Sequence, residues 1–546
     1  MERWQNIQHN LNLEEKILEK RNTIKTKSNT VFNYVFFVLF SFITISAATV
    51  IFKDFFVVFF TALTIFILFC IGGYVYKYNK IPSAKQVNIT FAILLAAMVV
   101  LQIIIGYSLI CNKFNDWRVM DVLSRNYAET GNFENMYRGL PEYNYGYIAR
   151  YPNNNGTLMM LALYERVVFL VLGYVPLYAP VALNTLCITI AVAFTFLTAK
   201  KVLSPMGALI TSVFCFMFLP YYTYAAYYYS DSLSIPFVPI AVYFIILGAK
   251  SENNKLIKRI ICLIISAISI AVGYSVKGSI LVVLIGAVVY IVLENKIKQA
   301  IISIICIVLV FGVTTVGIKA LGTSMHFTSE EELYEQQYPL NHWIMMGLKG
   351  NGGFNQDDSS FTFDSGNYDE KKAAVNKEIA KRLNEMGFDG MIEHLSEKLS
   401  YTWGDGTYYI YNHLNIMEED KKTQKNDYNP LFEFVIEDGK YYDQFCIYSN
   451  SMQMIMLIFM LLSSYYGIRR KKVTAMTLIR GIVFGIALFF MVWETRSRYI
   501  FNFTPMFILL ASGGIEVFMS RAQLLFSRHK KNREQLENQL ATEDII

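Results

Sequence analysis

The sequence is poor in charge: Asp, Glu, Lys and Arg make up only 17% of its 546 residues, and histidine occurs six times. Two or three soluble domains of this total length would need a far larger charged surface, so a soluble reading is excluded. The seven cysteines show no metal-ligand spacing. Cys70, Cys187, Cys215, Cys262 and Cys306 lie in apolar runs and read as small buried residues, while Cys111 and Cys446 fall in outer segments where a disulfide between them is open. A continuous basic face is also missing. Lys and Arg are scattered over many short loops, which excludes nucleic acid as a partner. The first apolar run has no small-residue cleavage site behind it and reads as an uncleaved anchor.

What the chain has instead is apolar length. Runs of about 20 apolar residues recur from Val31 to Met519, each enough to cross a hydrocarbon core of about 30 Å. Backbone amides in lipid must be satisfied within their own segment, so these runs are expected to be helices. The fold class is an all-α polytopic membrane protein of about twelve spans. They are placed at 31–52, 55–75, 87–110, 180–199, 206–225, 232–249, 259–276, 278–293, 300–319, 451–468, 474–492 and 499–519. The stretch 156–173 is the exception: Glu165 and Arg166 stand in its middle, and intramembrane charges cost at least about 2.5 kcal/mol each unless shielded.

Parity decides that stretch. If it does not span, Lys77/Lys80/Lys85, Lys200/Lys201, Lys250/Lys255/Lys258/Arg259, Lys296/Lys298, Arg469/Arg470/Lys471/Lys472 and Arg521/Arg528/Lys530/Lys531/Arg533 share one side with the N-terminus. The expectation is therefore an interfacial helix at 156–173 and a multi-pass cell-membrane protein with both termini cytoplasmic. The organisation follows: a cytoplasmic segment 1–30, a transmembrane hairpin 31–86, a core 87–319 with a first outer loop 111–179, an extracytoplasmic insert 320–450, closing spans 451–519 and a cytoplasmic tail 520–546. Tight turns at Tyr227–Ser232, Lys277 and Trp493–Tyr499 also face outward, and tyrosines 221, 222, 224, 227, 228 and 229 read as an aromatic belt. Within the insert, helical patterning predicts helices over 369–386 and 389–400, packed over the bundle.

The first outer loop carries Phe114-Asn-Asp-Trp-Arg-Val-Met-Asp121, Tyr127-Ala-Glu-Thr-Gly-Asn132 and Tyr147-Ile-Ala-Arg-Tyr-Pro-Asn-Asn-Asn-Gly156. An acidic residue soon after a span, a short helix ending in Gly-Asn, an aromatic-Pro element and an interfacial helix together resemble the first outer loop of GT-C glycosyltransferases. That superfamily includes the protein O-mannosyltransferases and the lipid A aminoarabinose transferase. Tyr151-Pro-Asn-Asn154, His342-Trp-Ile-Met-Met-Gly347, Trp403-Gly-Asp-Gly-Thr-Tyr408 and Glu494-Thr-Arg-Ser-Arg-Tyr499 look closer still to GT-C-like proteins of Gram-positive bacteria. The likeness covers the chain from about residue 87. It departs where the better-known members pair Asp with Glu, here Asp116-Trp117, and where their Lys-Pro-Pro is Tyr151-Pro-Asn. The two spans before residue 80 look like an addition.

The resemblance implies Asp116 as general base for an acceptor hydroxyl; Asp121, five residues on, would point elsewhere on a helix. A departing phosphate needs cations, and the guanidinium fork suits its oxygens, which nominates Arg498 and Arg496, then Lys277 and Arg150. Asp231 orients acceptor or sugar, helps hold a divalent cation, or caps the next helix. Tyr151, Asn153, Asn154 and His342 are further positioning candidates, and Asp116, Asp231 and His342 the one conceivable metal set; no cofactor is otherwise called for. Other outer histidines, His326, His394 and His413, read as ordinary loop residues.

The implied reaction moves a sugar from a polyprenyl-phosphate donor to a glycan, lipid or protein acceptor of the cell envelope, inverting at the anomeric carbon. A flippase for lipid-linked oligosaccharide would instead place charges near the bilayer midplane. A polysaccharide polymerase or ligase shares the donor chemistry.

Overall fold

The computed structural model describes residues 2–134, 136–141, 146–249, 256–414, 429–470 and 473–526, and among them all regular structure is helical. Lys250, Lys255, Lys471, Lys472, Arg528, Lys530, Lys531 and Arg533 lie outside the described residues, as does most of the 520–546 tail.

Among the described residues eleven helices are long and apolar enough to cross a membrane. Ten coincide with expected spans, and the eleventh, Pro152–Leu172, contains the stretch expected at the interface. The remaining two expected spans fold as shorter apolar helices, Pro205–Met217 and Gly278–Glu294. The first of these stops early because Pro220 has no amide to donate, and from 218 to 229 only the single turn Pro220–Thr223 is helical. Its freed carbonyls are met by side chains from neighbouring spans. Gln102 Nε2 donates to Tyr221 O at 2.9 Å, and Asn184 Nδ2 donates to Tyr224 O at 2.6 Å. Broken backbone at this depth survives only where protein satisfies it. The six tyrosines of this segment are all buried, so they are core residues and not a lipid-facing belt. Loop and insert close over them, and their rings face protein.

The helices Asn115–Thr130 and Asn155–Leu172 pack side by side in the first loop. Both halves of the second helix meet the same end of the bundle, the end that carries the insert. Thr157 Oγ1 donates to Val276 O at 3.2 Å, and Tyr164 OH donates to Ala179 O at 3.0 Å. The helix thus lies along that end, with Leu163, Val167, Leu170 and Val171 exposed. Its two charges turn inward. Glu165 is buried, and Arg166 Nη1 donates to Ala128 O at 2.7 Å, closing the end of the partner helix.

The insert contributes helices Glu330–Gln336, Asn341–Gly347, Gln356–Asp364 and Tyr368–Trp403. The last is broken at Gly387 (φ 62°, ψ −166°), between the two helices expected from patterning. It packs on the first span, where Ser400 Oγ donates to Ser46 O at 2.8 Å and Trp403 meets Phe40 edge-on at 5.6 Å. The following loop enters the bundle: Gly406 N donates to Asn450 Oδ1 at 2.8 Å, and Tyr408 OH donates to Gln453 Oε1 at 3.0 Å. The hairpin before residue 80 packs on the closing spans, with Gly72 against the backbone of Met519 and Arg480 Nη1 donating to Asn33 Oδ1 at 3.2 Å. Cys111 and Cys446 are free thiols.

Two glycines permit these contacts. A Cβ at Gly156 would fall on the carbonyl of Ser275, and one at Gly406 on that of Ser449, whereas Gly278 faces open space. Gly156→Ala and Gly406→Ala should each destabilise the protein by about 1–3 kcal/mol through forced backbone shifts. Gly278→Ala should leave thermal unfolding of the detergent-solubilised protein unchanged.

Candidate active site

The site stands at the insert end of the bundle, where the first loop, the 227–231 turn, the end of helix Leu256–Val276 and the 493–499 turn meet. Asp116 opens helix Asn115–Thr130 in its first turn, a position favourable for a carboxylate beside unpaired amides. Its Oδ1 accepts from Tyr147 OH at 2.5 Å and its Oδ2 from Tyr229 OH at 3.3 Å. Asn154 completes the group: its Nδ2 donates to Tyr147 OH at 2.9 Å, and its Oδ1 accepts from Tyr229 OH at 3.1 Å. Burial and the neighbouring Asp116 hold the Tyr147 phenol well above its ordinary value, so it remains a donor.

Asp231 is buried, and its carboxylate bridges two cations. Lys277 Nζ pairs with Oδ1, and Arg498 Nη1 donates to Oδ2 at 2.9 Å. The side chain does not cap its helix; Ser232 Oγ closes that turn on Tyr227 O at 2.7 Å. Arg498 also donates to Tyr227 OH at 3.1 Å, and its guanidinium lies 5.5 Å from the Tyr229 ring and 4.7 Å from that of Tyr499. Tyr229 therefore touches both groups, its hydroxyl on Asp116 and its ring beside Arg498.

The arginine turn is held by the insert. Glu494 N donates to Trp343 O and Thr495 N to Gly352 O, both at 2.8 Å. Ser497 Oγ donates to Asp405 Oδ2 at 2.7 Å. Asp405 belongs to the loop in which Tyr408 and Tyr409 adopt left-handed backbone (φ 56° and 63°), a strained conformation for bulky residues. Glu494 accepts from Tyr499 OH at 2.8 Å, and burial raises its carboxyl above the usual range.

Other nominated residues lie apart. Asp121 is drawn into a second ion cluster by Lys113 at 3.2 Å, Arg125 at 3.0 Å and Tyr228 OH at 2.6 Å. Arg150 stacks 3.9 Å over Phe363 of the insert. Tyr151 packs among Tyr147, Tyr338 and Trp343, and Asn153 is exposed. His342 Nδ1 meets Thr362 Oγ1 at 2.7 Å within the insert. Among the described residues no three His, Cys, Asp or Glu side chains gather as metal ligands, so Asp116, Asp231 and His342 do not form the metal set considered from sequence. Asp231 is committed to two cations and His342 to a hydroxyl.

Sequence reasoning missed Tyr147, Tyr229 and Asp405 as partners of the site, and it passed over His413, which stacks on Tyr227 at 4.1 Å. The tyrosines stood inside quoted motifs. Their hydroxyl partners, distant in sequence, left no local signal.

Burial pushes the His342 imidazole down to about 4, from 6.5. Its neutral form contributes stability fully above pH 6.5, and that contribution is lost as pH falls towards 4. Thermal unfolding followed across this window should show a loss approaching about 3 kcal/mol, which His342→Gln should largely abolish.

Residues 21–517 match the model of a family described as conserved hypothetical integral membrane protein. Among curated proteins none matches the chain significantly. The structure is similar to an archaeal oligosaccharyltransferase, AglB from Archaeoglobus fulgidus, solved with an inhibitory peptide and a dolichol-phosphate: 11% identity, TM-score 0.40, covering 83% of this chain and 54% of that one. It is also similar to apo ArnT from Cupriavidus metallidurans, with 10% identity and TM-score 0.31, covering 79% of this chain and 78% of that one. The chain spans about half the length of the oligosaccharyltransferase, and likenesses this distant say nothing of the site. The family match takes in most of the chain, which belongs to this family of integral membrane proteins.

Proposed function

We propose that the protein transfers a sugar from a polyprenyl-phosphate donor to a cell-envelope acceptor on the extracytoplasmic side, with inversion. The observation that carries this reading is the shared wall of Tyr229, which sets an acceptor-side carboxylate, Asp116, beside the cationic pair Arg498 and Lys277. The acceptor hydroxyl gives its proton to Asp116 as its oxygen attacks the anomeric carbon. The bond from that carbon to the phosphate oxygen breaks, and the polyprenyl phosphate leaves with the electron pair. Arg498 and Lys277 meet the charge that develops on it, already aligned by Asp231. Attack from the face opposite the phosphate inverts the configuration.

Transport of a lipid-linked glycan is the second reading, favoured by two ionisable groups within spans that sequence reasoning did not weigh. Arg480 is buried in Ala475–Val492, and Glu516 in Thr504–Phe526 pairs with Ser204. Arg480 is engaged by Asn33 at 3.2 Å and by Ser463 O at 3.1 Å, contacts that join three helices.

Purified protein in liposomes, given radiolabelled polyprenyl-phosphate sugars and envelope acceptor, tests the proposal. Asp116→Asn should lower transfer at least about 100-fold while donor binding persists. Arg498→Gln should lower transfer by a similar factor, with donor binding weakened as well. Movement of donor across the bilayer without cleavage would replace the enzyme by a transporter.

A further inference from the structure

Arg496 is two residues from Arg498 yet is held quite differently. Its guanidinium lies 4.4 Å from the Tyr409 ring, and its Nε is shut off from solvent without a hydrogen-bond partner among the described residues. Among the described residues no carboxylate forms an ion pair with it. The nearby acids turn their oxygens to other donors. Asp405 accepts from Thr407, Ser497 and the amide of Tyr409, and Glu494 accepts from Tyr499. Beside it stands His413, stacked on Tyr227 and flanked by Tyr409. Its Nε2 is likewise buried without a partner. Burial, and after it the two neighbouring arginines, hold this imidazole neutral, so one of its nitrogens keeps a proton to donate and the ring adds no charge.

A guanidinium nitrogen buried without a hydrogen-bond partner is costly, and here Arg496 Nε stands beside a second such atom, His413 Nε2. Asp231 already engages both Lys277 and Arg498, so part of the positive charge of the neighbouring pair is offset before any phosphoryl group binds. We infer that Arg496 and His413 form a second anion subsite, adjoining Arg498 and Lys277, that takes a further phosphoryl group. This rests on the proposed transfer reaction and narrows its substrates. Either the donor is a polyprenyl diphosphate, or the acceptor carries a phosphodiester.

The test uses the full-length protein in nanodiscs, with farnesyl phosphate, farnesyl diphosphate and bis-glycerol phosphodiester as probes. If the donor supplies the group, farnesyl diphosphate binds at least about tenfold more tightly than farnesyl phosphate. Arg496→Gln and His413→Phe then erase that advantage and leave farnesyl phosphate affinity unchanged, which also reports that each variant is folded. If the acceptor supplies it, the phosphodiester binds to protein saturated with farnesyl phosphate, and the same variants abolish that binding. Should neither probe depend on Arg496, the subsite is refuted. Failure of Arg498→Gln to weaken any probe would instead remove the underlying phosphate site, a separate result.

Discussion

The insert end of this protein is organised around one buried carboxylate. Asp231 lies out of solvent between Lys277 and Arg498, three residues from three different parts of the chain. Removing either partner from such a cluster leaves an uncompensated charge, at a cost of roughly 3–5 kcal/mol. The cluster therefore fixes the relative placement of the 227–231 turn, the end of helix Leu256–Val276 and the 493–499 turn. Tyr227 and Tyr229 project from the first of these onto Arg498 and Asp116, so the first loop is registered against the same point.

The insert acts on this arrangement from above. Backbone hydrogen bonds to Trp343 and Gly352 and the Asp405–Ser497 contact pin the arginine turn, while Tyr408 and its neighbours anchor the insert in the bundle. The strained backbone at Tyr408 and Tyr409 is maintained because both rings are bound, one on Gln453 and the other on Arg496. Loop, insert and bundle thus share one polar core, although the surrounding spans are held mainly by apolar packing and close helix approach.

Apolar length made the spans legible, and charge placement gave the stretch 156–173 a location that agrees with both of its anchors, at Val276 and Ala179. Residue chemistry and family likeness nominated Asp116, Asp231, Lys277 and Arg498. Their pairing was not legible, because nothing local links positions 231, 277 and 498. The tyrosines at 221–229 were misread because an aromatic run beside a span end looks the same whether it faces lipid or lies under an insert. Pro220, a helix breaker inside an expected span, was the available clue. The setting of Asp121 was partly readable, since Arg125 follows four residues later on the same helix face. Gly387 shows the reverse case, a break placed correctly by the lapse in apolar patterning.

The central claim is that Asp116 and the Arg498–Lys277 pair face opposite sides of one reacting carbon. Structure determination of the protein with a non-transferable polyprenyl-phosphate sugar analogue tests it most directly. The account predicts the analogue's phosphate on Arg498 and Lys277, its anomeric carbon turned towards Asp116, and its lipid tail leaving sideways between spans. A phosphate bound instead within the spans, beside Arg480 and remote from Asp116, would contradict it.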